Sequence, residues 1–80
     1  LINIKVQYFA VLREQRGLSE EAVQTMAKTA GDLYDEIADT NGLTFEKSLI
    51  RAAINDRFVD MSEQIEDGDK VVFIPPVAGG

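Results

Sequence analysis

Gly79-Gly80 closes this 80-residue chain and is its most suggestive chemical feature. Glycine has no side chain, so the pair can enter a slot too narrow for any other dipeptide and leaves the terminal carboxyl group sterically open. A frayed terminus without function is the bland alternative. The rest of the composition narrows the chemistry sharply. There is no cysteine and no histidine. Disulfides, thiolate metal sites, persulfides and a cysteine nucleophile are therefore excluded, and so are the commonest metal ligand and the commonest general base. Carboxylates, amines, hydroxyls and the chain terminus remain. Glu20-Glu21, Asp35-Glu36 and Glu66-Asp67-Asp69 are the paired acids, but a catalytic acid needs a cleft that shifts its pKa. In a chain this short these groups read as solvated charge. Asp67-Gly68-Asp69 is too short for a calcium loop of the EF-hand type. Gly31, Gly42 and Gly68 are isolated and form no phosphate loop. Met26 and Met61 read as core filler.

A terminus that does chemistry must be held by something. Ile2, Ile4, Val6 and Tyr8 alternate with Asn3, Lys5 and Gln7, the period of a strand with one buried face. Phe9 places a large aromatic on the polar side. Ala10 to Arg16 reads as a short helix stopped by Gly17, and residues 20–27, around Val23, as a second strand returning in a loose hairpin. Thr29 is an N-cap with Asp32 three positions on. Leu33, Tyr34, Ile37 and Ala38 form the apolar stripe of the helix that follows, with Asp35, Glu36 and Asp39 toward water and Asn41-Gly42 at its end. Leu43 to Ile50 is a shorter helical or loop segment. Arg51 to Asn55 and Arg57 to Asp60 form a hairpin about Asn55-Asp56. Val71 to Ile74, apolar on both faces, suits a central strand covered on both sides or one whose second face is kept for a partner. Pro75-Pro76 ends pairing, since neither residue has an amide hydrogen to donate. The first and last strands are the most apolar and belong side by side at the centre, in a pairing direction that periodicity does not specify. The order suits an α+β chain, a mixed sheet packed on one main helix, as in the β-grasp, ubiquitin-like fold. Residues 1–76 make the domain and residues 77–80 a flexible tail.

Two features emerge from this arrangement. If Val71 and Phe73 face the helix, Val72 and Ile74 face away, and Phe9 and Phe58 fall on the same side. These four residues would form an apolar patch of a kind monomers rarely leave without a partner, unless the Leu43–Ile50 segment covers part of it. The second feature is Pro75-Pro76-Val77-Ala78-Gly79-Gly80, stiff at its base and tapering in side-chain size. Six extended residues reach at most roughly 20 Å, enough to thread an active site while the domain docks outside.

Composition limits the partners. Fourteen acidic against eight basic residues give a net charge of −6, which disfavours nucleic acid and favours a basic protein partner. No apolar stretch approaches the roughly 18 residues that span a bilayer, and no signal segment opens the chain, so a cytoplasmic protein is expected. Leu1 in place of methionine points to an alternative start, processing or trimming.

The ending Asp-Gly-Asp-Lys-Val-Val-Phe-Ile-Pro-Pro-Val-Ala-Gly-Gly (67–80) resembles the C-terminus of the molybdopterin synthase small, sulfur-carrier subunits. Ile-Lys-Val-Gln-Tyr-Phe-Ala-Val-Leu-Arg-Glu (4–14) is similar to that family's first strand and turn, and Arg-Ala-Ala-Ile-Asn-Asp (51–56) to its middle strand. Residues 18–28 and 40–50 match least. The resemblance implies a carrier with no permanently bound cofactor. A ubiquitin-activating-like adenylyltransferase, using ATP and Mg²⁺, would convert the Gly80 carboxylate to an acyl-adenylate. A separate sulfur donor would turn that into a thiocarboxylate. The loaded tail would then enter the large catalytic subunit, with Val77, Ala78 and Gly79 as the threading segment, and sulfur would pass there to a pyranopterin precursor. Phe9, Phe58, Val72 and Ile74 would dock the domain, in an expected heterotetramer. The chain would carry the sulfur, and the acid and base groups would belong to its partner. A sulfur carrier for thiamin or cysteine synthesis, a ubiquitin-like modifier joined to lysines, and an interaction module with an inert tail are the rival readings.

Overall fold

The computed structural model describes residues 1–76. Strand β1 (Ile2–Tyr8) buries Ile4, Val6 and Tyr8 and leaves Asn3 and Lys5 exposed, as the alternation requires. Helix α1 (Ala10–Arg16) follows at once and ends at Gly17, whose φ of 85° lets its amide donate to the Arg13 carbonyl. Strand β2 (Glu20–Thr25) returns antiparallel to β1, with Ile4 opposite Val23. It stops short of the expected residue 27 because the Thr25 hydroxyl accepts the Ala27 amide and donates to the Glu36 carboxylate. That turn throws Met26 outward at 78% exposure, so only Met61 packs against the core.

Helix α2 (Ala30–Asn41) starts as expected: the Thr29 hydroxyl accepts from the Asp32 amide at 3.1 Å, a cap worth about 1 kcal/mol. Leu33, Tyr34 and Ile37 lie on its buried face. The segment after it contains one short 3₁₀ turn, Lys47–Leu49, and sends Leu43, Phe45 and Ile50 into the same core. Strands β3 (Arg51–Ile54) and β4 (Arg57–Val59) form a hairpin. Its two turn residues, Asn55 and Asp56, have φ of 51° and 72°, the left-handed pair that a two-residue hairpin demands. Strand β5 (Lys70–Ile74) closes the sheet in the order β2-β1-β5-β3-β4.

The two most apolar strands do lie side by side at the centre, and β5 runs parallel to β1 and antiparallel to β3. The core sits between this mixed sheet and α2. Tyr8, Leu33, Tyr34, Val71 and Phe73 are essentially inaccessible. Tyr34 meets Phe73 edge to face at 5.3 Å between centroids, and its hydroxyl donates to the Phe45 carbonyl at 2.8 Å. Five strands around one principal helix in this order make a β-grasp domain.

Candidate functional site

The sheet has a second face. Val72 pairs with Gln7 on one side and Ala53 on the other, and Ala53 pairs in turn with Phe58. This row points away from α2: Val72 and Ala53 are buried yet absent from the helix-side core cluster. One row further along, Ile74 stands beside Arg51. Phe9 follows the end of β1 and shares a shallow apolar groove with Val11, Ile74, Pro75 and Pro76.

The four expected docking residues therefore share one face but not one role. Phe58 is 69% exposed and Phe9 41% exposed. Ile74 is half-buried. Val72 departs from expectation, with only 7% of its surface accessible. As a central-strand residue it is flanked on both sides by paired strands, and those neighbours cover a side chain of its size. It floors the patch, and the two phenylalanines stand up from either end. Leu43, Phe45 and Ile50 pack on the helix side, so the segment that could have covered Phe58 does not.

Arg51 is the residue that pattern reading overlooked. Its guanidinium carbon lies 5.8 Å from the centroid of the Phe58 ring, within reach of a cation–π contact. It stands between the Phe9–Ile74 end and the Phe58 end of the face. Strand alternation with buried Ala52 was the signal that could have found it.

Local chemistry fixes Phe9 in place. Phe9 is the N-cap of α1 in an extended conformation, and its carbonyl accepts the Leu12 amide at 3.1 Å. Ala10 then takes φ of 51°, a left-handed value costing a non-glycine residue about 1–2 kcal/mol. This turn sends α1 back against β1 and β5, with Leu12 fully buried as its anchor.

The far end of α1 is tied down by charge. Arg16 makes two hydrogen bonds to Glu21, at 2.8 and 2.7 Å, and the Tyr8 hydroxyl donates to the same carboxylate at 2.6 Å. Burial alone would raise the Glu21 carboxyl group. The bonds from Arg16 and Tyr8 and the Arg16 charge outweigh burial and hold it below the usual carboxylate range. Burial first, then the bond to Glu21, pushes the Tyr8 phenol well above its ordinary value. A carboxyl group held low on folding contributes stability present above its unfolded pKa of about 4.3 and lost as pH falls through the folded value. Glu21→Gln should thus be less stable than the parent at neutral pH, with the gap narrowing below about pH 4. Urea denaturation at a series of pH values measures it, and a gap that stays constant into acid would show that the pair carries no such linkage.

The other acidic groups are structural too. The Asp67 carboxylate accepts the Asn3 amide at 2.7 Å, and Asp69 accepts from the Glu66 amide and the Asn55 side chain. The acidic turn is thus a clasp that sets the start of β5 against β1. Among the described residues, no group of three or more Asp or Glu could hold a metal ion, and no helix is long and apolar enough to cross a membrane. Val77, Ala78 and Gly79, expected to thread, and Gly80, expected to react, lie outside the described residues. The structure does place Pro75, buried, and Pro76, exposed, at the groove beside Phe9.

Comparison with known proteins agrees with this geometry. The family model described as ThiS family matches residues 6–80. A molybdopterin synthase sulfur carrier subunit of Escherichia coli is 36% identical, covering 96% of this chain and 99% of the relative. One from Chlamydomonas reinhardtii is 35% identical over 99% of this chain and 100% of its own length. Among solved structures, a Pyrococcus furiosus protein assigned as molybdopterin converting factor, subunit 1, superposes with a TM-score of 0.77 at 29% identity, over 96% of this chain and 100% of that one. The chain belongs to the ThiS family of β-grasp proteins, among relatives that include the molybdopterin synthase sulfur carrier subunits.

Proposed function

We propose that this chain is a sulfur carrier in molybdenum cofactor biosynthesis, the small subunit of a heteromeric molybdopterin synthase. One observation supports the reading above the others: β5 leads to Pro75-Pro76 at the Phe9–Ile74 groove, and the sequence continues from there as Val77-Ala78-Gly79-Gly80. The strand that borders the apolar face is thus separated from the diglycine end by only a few residues of sequence.

The chemistry follows from the weakness of a carboxylate as an electrophile. Attack of the Gly80 carboxylate on ATP, in a partner adenylyltransferase, forms the acyl-adenylate and releases pyrophosphate. A sulfur nucleophile at the sulfide level, from a separate donor protein, then displaces AMP and leaves a thiocarboxylate. In the large subunit that sulfur attacks a carbon of the pyranopterin precursor, forming a carbon–sulfur bond as a carbon–oxygen bond at that carbon breaks and the oxygen group leaves with the electron pair. Water then cleaves the thioester and restores the Gly80 carboxylate. The absence of cysteine is compatible with every step, because the sulfur stays on the terminus.

Intact-mass spectrometry tests the proposal. Incubation with the adenylyltransferase, ATP, Mg²⁺ and the sulfur donor should add about 16 Da, sulfur for oxygen. The loaded chain, mixed with the large subunit and the precursor, should return to its starting mass as dithiolene forms. An unchanged mass after activation would overturn the carrier role. Isopeptide-linked conjugates on lysines would identify a protein modifier instead.

A further inference from the structure

The chain carries a net charge of −6, yet its charges are sorted by face. Helix α2 presents Asp32, Asp35, Glu36 and Asp39, all exposed, and among the described residues only Asp35 of these has a cationic partner, Lys47 at 2.7 Å. The outer face of the sheet is the reverse. Lys5, exposed between buried Ile4 and Val6, is paired in register with Lys70. Arg51 extends from the same side, set against the Phe58 ring. Lys70 is neutralised by Asp56 at 3.0 Å. Lys5 and Arg51 form no ion pair among the described residues. Like charges opposed across strands cost stability, and Lys5 beside Lys70 accepts that cost. Glu20 and Asp56 are acids at the margins of this face, Glu14 lines the Phe9–Ile74 groove, and Asp60 and Glu63 line the hollow beside Arg51 and Phe58, where Arg57 also stands.

From this segregation we infer that the docking surface of the large subunit is an apolar patch bordered by carboxylates, placed to meet Arg51 and Lys5. The inference rests on the carrier reading for the identity of the partner. It reverses, for this face, the basic partner that net charge alone suggests. The acidic α2 side repels such a partner while the sheet side attracts it, so encounter is oriented before contact. Arg51 is already held by Phe58 and so needs little ordering on binding. The apolar residues then set the dissociation rate, and the cations set the association rate and the register.

The test is the association of the full-length chain with the large subunit encoded by the same genome, followed by stopped flow from about 25 to about 400 mM KCl. Arg51→Glu and Lys5→Glu should each slow association about tenfold at low salt, with the difference fading at high salt. Lys28→Glu changes net charge equally at the opposite end of β1, and it should stay within about twofold of the parent. Arg51→Gln and Lys5→Gln, with unaltered melting curves, should show a smaller loss of the same kind. Phe58→Ala should speed dissociation at every salt concentration. If Phe58→Ala weakens binding while the charge reversals leave it unchanged or tighten it, the carboxylate border is refuted and docking through this face stands. If neither class of variant alters binding, the partner does not use this face and the inference falls with it.

Discussion

Replacing Gly79 with valine is expected to reduce sulfur transfer by about 10²-fold or more while leaving the melting temperature unchanged. The position lies beyond the residues that build the described sheet and core, and substitutions away from such features usually change stability by no more than about 0.5 kcal/mol. The cost arises in the partner. A β-branched side chain next to the reacting carbonyl widens the tail where both the adenylating site and the large subunit must enclose it. A displacement of about 1 Å at a reacting atom is enough for a loss of that size. Single-turnover transfer from chemically thiocarboxylated chain separates the two partners, because it bypasses adenylation. Transfer at the parental rate by the preloaded variant would show that the large subunit has no narrow slot.

Phe73→Ala should do the opposite. Phe73 is fully buried and holds Tyr34 edge to face. Truncating such a residue costs about 3–5 kcal/mol, against roughly 4–12 kcal/mol for a domain of this length. The variant should melt roughly 15–30 °C lower, or be unfolded at room temperature, with Gly79-Gly80 intact. Its neighbour Val72 lies on the other side of the same strand, so one residue of β5 separates the core from the outer face proposed for docking. Thermal denaturation followed by circular dichroism measures the shift. A drop of only a few degrees would mean that the Tyr34–Phe73 contact is not central to the core.

Most of the fold was legible because its signals are local. The alternation in Ile2–Tyr8, the Thr29 cap, the Gly17 and Gly42 stops and the Asn55-Asp56 turn each act within a few residues. Whether β1 and β5 run parallel was not legible, since that depends on segments at opposite ends of the chain. The same holds for Val72, whose cover comes from Gln7 and Ala53. Glu21 looked like one more solvated acid because its partners, Tyr8 and Arg16, come from two other elements. The grouping of Phe9, Phe58 and Ile74 on one face was foreseen from alternation. Arg51 among them was not, because a strand pattern records apolar residues and passes over the cations between.

The sheet order β2-β1-β5-β3-β4 makes β5 a keystone. Without it the molecule is two separate hairpins, one at each end of an unfinished arch, and neither has a neighbour to pair with at the centre. A chain broken off before β5 therefore loses the core, the floor of the proposed docking face and the tail in a single event, and on the carrier reading it cannot persist as a folded decoy with nothing to deliver. Possession of the tail therefore presupposes a completed fold, although every strand and helix described is complete by Ile74.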